Sequence, residues 1–191
     1  MVAPTGRVAI VTVPMCNFLM VDGQGDAGSP SLGAAIRAVT DLSAAVRLYL
    51  QEDGGELLDP MPVEILWSPP DDEVWREAAP QEWSWTVMVA QPSRVTPEFV
   101  AAVRERLPAE QNDRVLRRIH LGSLREGLCA QTTHATHAES SRGVLERLVD
   151  HVRAMGYEPH GPHHEIHLAD LRHQDAAPLR TIVRQPIRLL G

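Results

Sequence analysis

The chain has 191 residues, a length that suits one domain, or two small halves sharing one core. It is 43% hydrophobic and carries a formal charge of −7 with nine histidines taken as neutral, an acidic balance that repels phosphate backbones and leaves no electrostatic footprint for nucleic acid. No apolar run approaches the roughly 20 residues of a membrane helix, the N-terminus has no secretory pattern, and two cysteines without metal spacing read as buried small side chains. The expectation is a cytoplasmic protein with neither membrane nor nucleic-acid partners.

In chain order, VAIVTVP (8–14) alternates β-branched residues and reads as a strand, and NFLMVDGQGD (17–26) reads as a second one. A turn rich in Gly and Ser follows, with Pro30 and Ser31 at a helix start. From 31 to 52, Leu32, Ile36, Val39, Leu42, Val46 and Leu50 recur at three- and four-residue spacings, which predicts an amphipathic helix. PVEILWS (62–68) and EWSWTVMVAQP (82–92) are predicted strands, with a turn at PPDDE between them. Thr96 and Pro97 form a cap and first-turn pair opening a helix over 95–107. QNDRVLRRIHLG suggests a further short helix. The segment 124–136 reads as a strand, 139–156 as a helix stopped at Gly156, and HHEIHLAD (163–170) and 180–188 as the last two strands.

Both halves, about 8–92 and 93–191, therefore read strand, long helix, strand, strand. This predicts a single α+β domain over 1–191, a pseudo-twofold tandem repeat with a central ligand pocket between its halves. The order also argues against a doubly wound parallel sheet.

Glu165 is the main chemical candidate. On a strand it shares a face with His163 and His167, while His164, Ile166 and Leu168 take the other. A carboxylate in an apolar pocket either holds a cationic ligand or, with its pKa raised by desolvation, serves as a general acid or base. Glu64 in VEILW poses the same question in the matching strand. His134, from HATH (134–137), is placed to join the 163/165/167 face. A zinc site of these groups lacks both a His-Glu-x-x-His helix and an adjoining cysteine, so neither a metal nor a cofactor is assigned, and a histidine-rich metal-binding protein stands as the minor alternative. The four tryptophans, Trp67, Trp75, Trp83 and Trp85, lie within nineteen residues of one another. Trp83 and Trp85 share a face with Val87 and Val89, and Met88 takes the other. Indole rings stack on flat, often cationic, molecules or fill a core. There is no GxGxxG, P-loop or G-x-S-x-G pattern, so neither a phosphate cradle nor an acyl-transfer elbow is expected.

Taken together, FLMVDGQGD, PVEILW, WSWTVMVAQPSRVTPE, EGLCAQTTH, HHEIHLAD and LRTIVRQPI resemble the GyrI-like small-molecule-binding family. They are most similar to its stand-alone subgroup, which includes hydrolases of cyclopropanoid compounds. The resemblance runs from about residue 8 to 188. It implies the tandem fold, and a pocket for hydrophobic, aromatic or cationic small molecules. It implies that Glu165 is the pocket carboxylate and catalytic group, with Trp67 and Trp85 beside it and His167, at a family tyrosine position, as a candidate proton donor. Met88, Glu64 and His134, from the reading of the strand faces, complete the expected pocket. Family members fused to helix-turn-helix segments sense ligands; here the chain opens on strand-forming residues, and it is not expected to be a transcription regulator by itself. Two positions that are tyrosine in the family pattern hold His167 and Ala138, and Thr136 replaces a glycine. Two outcomes follow from the resemblance: ring-opening hydrolysis by a Glu-activated water, or binding without turnover in a sequestering or sensing module.

Overall fold

The computed structural model of the chain describes residues 6–52, 54, 58–70, 82–108, 114–135, 141–168 and 180–191. Trp75, Thr136, Ala138 and most of the turn after Pro70 lie outside the described residues. In the first half, strand β1 spans Ala9–Gln24, helix α1 Pro30–Glu52, β2 Val63–Ser68 and β3 Ser84–Gln91. Helix α2, Pro97–Arg106, links the halves. The second half has β4 at His120–Ala135, α3 at Ser141–Ala154, β5 at Tyr157–Pro159, β6 at His163–His167 and β7 at Arg180–Leu189.

Local chemistry sets the helix starts. The Ser29 hydroxyl accepts from the Leu32 N–H at 3.3 Å, ahead of Pro30. Thr96 likewise accepts from Phe99 N–H at 3.2 Å, ahead of Pro97. Where the sequence suggests a short helix before β4, the chain makes only a single 3-10 turn at Leu116–Arg118. The three-residue β5 has too little alternation to be read from sequence.

The stretch that the sequence divides at Pro14 is one continuous strand. Pro14 has no N–H to donate, and pairing with β4 skips it, running from Val13↔Gly127 to Met15↔Arg125. Gly127, at φ 71°, marks the same joint on β4. The facing of side chains changes parity there. Leu124 packs with Phe18 and Met20, whereas Ala130, of the same parity, packs beneath α3 on the opposite face.

Pairing runs β4-β1-β3-β2-β6-β7-β5, and β4 also pairs with β7, so six antiparallel strands close into a ring. Each half contributes three strands in the same order, β1-β3-β2 and β4-β7-β6. Like meets like at both joints, β1 with β4 and β2 with β6. This is the predicted pseudo-twofold repeat. Helix α1 buries Leu32, Val39, Leu42 and Val46 on the outer face of the first half, over Leu19, Val21, Val87 and Val89. Helix α3 buries Val144, Leu145, Leu148 and Val152 over Ala130, Val183 and Ile187. Each such aliphatic side chain contributes on the order of 1.5–3 kcal/mol. Phe18, Met20 and Met88 fill the inside of the ring.

Candidate functional site

Register places three rows of side chains on the outer face, which both helices cover. His134, Thr181, His167 and Val63 are successive partners across β4, β7, β6 and β2. The next row is Thr132, Val183, Glu165 and Ile65. Two residues further along β6, His163 faces Trp67, which faces Trp85, which faces Gly23. Adjacent rows are about 7 Å apart. Glu165 thus stands between a histidine row and an indole row, with Ile65 of the α1 core on one side and Val183 of the α3 core on the other.

Glu165 is 9% exposed. Its Oε2 lies 3.5 Å from His167 Nε2, and His167 Nδ1 lies 3.4 Å from Thr181 Oγ1. Burial alone raises the pKa of this carboxyl, but hydrogen bonding from His167, the charges of His163 and His167 and a hydrogen bond from Ser141 outweigh it and hold the group well below the usual carboxylate range. Burial pushes His163 down to about 4, so this ring is neutral at neutral pH. Its charge then no longer acts on Glu165, and the lowered pKa rests on His167 and Ser141. The sequence admits a desolvated Glu165 with a raised pKa; the structure instead gives an ionised carboxylate, because hydrogen-bond donors reach it inside the fold.

The rings beside it form one cluster. Trp67 stacks on His163 with centroids 6.5 Å apart and planes 16° from parallel. Trp83 meets His163 edge-on at 5.4 Å and Trp67 at 6.5 Å. The six-membered ring of Trp85 packs against Gly23, where an added Cβ would collide with the ring carbons. The buried indole N–H groups of Trp67 and Trp85 have no acceptor among the described residues. Unpaired buried donors cost about 1–3 kcal/mol each, so such a pair beside a carboxylate suits a ligand with acceptor atoms.

The structure thus brings together Glu165, His167, His134, Trp67 and Trp85. It does not bring Glu64 or Met88 to them. Both are buried but face the inside of the ring, since Glu64 pairs across β2 and β3 with Met88 and lies next to Ile166, not Glu165. There Glu64 Oε2 lies 2.9 Å from His164 Nε2, whose Nδ1 is 3.0 Å from Glu126 Oε1. Arg184 Nη1 donates to Glu126 Oε2 at 2.6 Å, and its Nε to Gln131 Oε1 at 2.9 Å. Burial pushes His164 down, but the two carboxylates win and raise it. Glu126 is likewise lowered on balance, against burial, by His164 and Arg184. Two carboxyl side chains, a histidine and an arginine thus form one buried network on the inside of the barrel. Burial and the neighbouring Glu126 push the Cys129 thiol up to about 12, which makes it inert.

Reading the sequence alone misses Ser141 and Thr181. Ser141 Oγ lies 3.5 Å from His134 Nε2 at the start of α3, and only tertiary pairing puts it beside Glu165. Two cavities lie elsewhere on the described residues. One, of about 460 Å³, is lined by Val8, Thr132, His134 and the Val144–His151 stretch of α3, so His134 borders both it and the Glu165 row. The other, of about 700 Å³, flanks α1 at the far end of β2 and β3. Among the described residues no group of histidine, cysteine and acidic side chains is arranged to hold a metal, and no helix is long and apolar enough to cross a membrane.

No protein-family model and no curated protein matches the sequence. Solved structures do. A conserved protein from Listeria innocua superposes with a TM-score of 0.84 at 26% identity, over 97% of this chain and 94% of that one. A structure described as a hydrolase from Listeria innocua gives 0.76 at 26% identity, with the same coverage. The C-terminal domain of EcmrR gives 0.61 at 13% identity, over 96% of this chain and 98% of that one, a likeness of fold alone. With its tandem strand–helix–strand–strand halves the chain shares the fold of these structures, the fold implied by the resemblance of its motifs to the GyrI-like family.

Proposed function

We propose that this chain binds flat aromatic cations at Glu165, with the indoles of Trp67 and Trp85 and the His163 ring as a wall and His134 and His167 along the opposite side. The observation that carries this reading is the ionised, buried Glu165 carboxylate set between two cores and beside an aromatic cluster. Donors from His167 and Ser141 let that carboxylate keep its charge in the fold, and the charge and the stacked π-faces attract the same cation. Titrating ethidium into the protein tests it. Binding is expected to quench tryptophan fluorescence in a saturable way, and quenching no stronger than that of free indole would overturn the reading.

A second reading is favoured by the two unpaired indole N–H groups and by the similarity to a Listeria hydrolase. In it Glu165 takes a proton from water as the hydroxyl adds to a strained cyclopropane carbon. The ring C–C bond breaks, its electron pair passes to a conjugated carbonyl, and an N–H donor steadies the resulting enolate oxygen until it is protonated. A carboxylate with a lowered pKa is a weak base, so this chemistry relies on the substrate's strain. Mass spectrometry after incubation with a spirocyclopropane electrophile decides the matter. Product heavier by one water, formed over many turnovers by the wild type and not by Glu165→Gln, supports turnover; bound but unchanged compound leaves a binding protein.

A further inference from the structure

The larger cavity stands apart from Glu165 in both place and chemistry. Its volume of about 700 Å³ falls within the range of small-molecule sites. It opens where β3 ends at Val89–Ser93 and where the chain enters β2 through Leu58–Met61, and its third wall is the Thr40–Leu50 stretch of α1. Met61 is four residues from Ile65, the partner of Glu165, so the two places are on the order of 13 Å apart along the strand.

Its lining among the described residues carries no aromatic ring. Leu50, Leu58, Val89 and Pro92 make the apolar wall, and Met15 and Met61 stand at its edge, 64% and 51% exposed. Methionines left in water at the rim of an apolar cavity form an adaptable surface. Among the described residues the charged lining groups are one cation, Arg47, and one anion, Asp59, which offset each other. Arg47 Nη1 already donates to the Leu58 carbonyl at 3.2 Å, and Gln91 Nε2 donates to Ser43 Oγ at 3.0 Å, which pins the floor of the cavity to α1. Asn17, Thr40 and Ser43 offer a few uncharged polar contacts.

We propose that this cavity is a second binding site, for an uncharged aliphatic molecule with one hydrogen-bonding end, separate from the cation site at Glu165. Cys16, which is half-buried in the cavity lining, is a reporter, while Cys129 is fully buried. The test measures the rate at which a disulfide reagent modifies Cys16 in the full chain, with and without 1-decanol. At ten dissociation constants of alcohol, protection of about tenfold is expected. Affinity should tighten about fourfold for each methylene from hexanol to decanol. Protection should be equal with and without saturating ethidium, and lost in Ala44→Phe and in Thr40→Phe, which fill the cavity from two points of α1. Far-ultraviolet circular dichroism identifies a filler variant that has not folded, and the chain-length series on the wild type does not depend on either filler. Absence of protection at the solubility limit of decanol overturns the proposal. So does protection that survives both folded fillers, or protection that vanishes under saturating ethidium, which would place the alcohol at the cation site.

Discussion

Glu165 and His163 are two residues apart on one strand and are driven in opposite senses. Burial holds His163 neutral down to about pH 4, while donors from His167 and Ser141 keep Glu165 ionised. Cation affinity should therefore fall as His163 gains its proton near pH 4, a positive charge arriving beside the ligand; an affinity unchanged between pH 5 and about pH 3.5 in calorimetric titrations would contradict this. Gly23 is the other telling position. Because the Trp85 ring occupies the place of a Cβ there, Gly23→Ala must push the indole away. A loss of about 1–3 kcal/mol in urea denaturation is expected from such overpacking, with a shift in tryptophan emission. The alternation of HHEIH was enough to put His163, Glu165 and His167 on one face. Which donors reach Glu165 was not legible, because Ser141 and Thr181 come from other elements. The assignment of Glu64 and Met88 to the same pocket failed for a local reason: a strand shows which residues alternate, not which face turns toward the helices.

At the scale of elements, the inside of the ring holds Glu64, His164, Glu126 and Arg184, and these bind β2, β6, β4 and β7 to one another. His164 is raised in the fold above 6.5, so its stabilisation is present below that value and is lost as pH rises through the folded pKa. Glu126 is lowered below 4.5, so its contribution is present above that value and is lost as pH falls through the folded pKa. The melting temperature should peak between these limits and decline on the alkaline side, and His164→Gln should remove the alkaline decline; thermal melts across pH 4 to 9 check both. Glu126→Gln, which leaves His164 and Arg184 poorly compensated, should cost about 3–5 kcal/mol in equilibrium denaturation. No periodicity announces this cluster. Its members are spaced over 120 residues, from Glu64 to Arg184, and meet only when the ring closes.

At the scale of the molecule, the strand–helix–strand–strand repeat was readable because each half carries its own hydrophobic periods and caps. Ring closure was not, since the β1–β4 and β2–β6 joints pair strands of different halves and leave no local trace. Pro14 shows the limit well. It is a break in the sequence pattern, yet in the fold it is a joint where one strand changes the face it offers. Closure matters for function because it sets β6 between the two helix-covered cores, and so puts Glu165 where both halves meet.

The central claim is that this site selects for positive charge through Glu165. The most direct measurement is isothermal calorimetry of a planar quaternary aromatic cation and its neutral isostere, each with the wild type and with Glu165→Gln. Loss of a charge-assisted contact of about 1.5–3 kcal/mol predicts that the variant binds the cation about 10- to 150-fold more weakly and the neutral isostere equally well. Equal cation affinity in the two proteins, or the same loss for both ligands, would contradict the account.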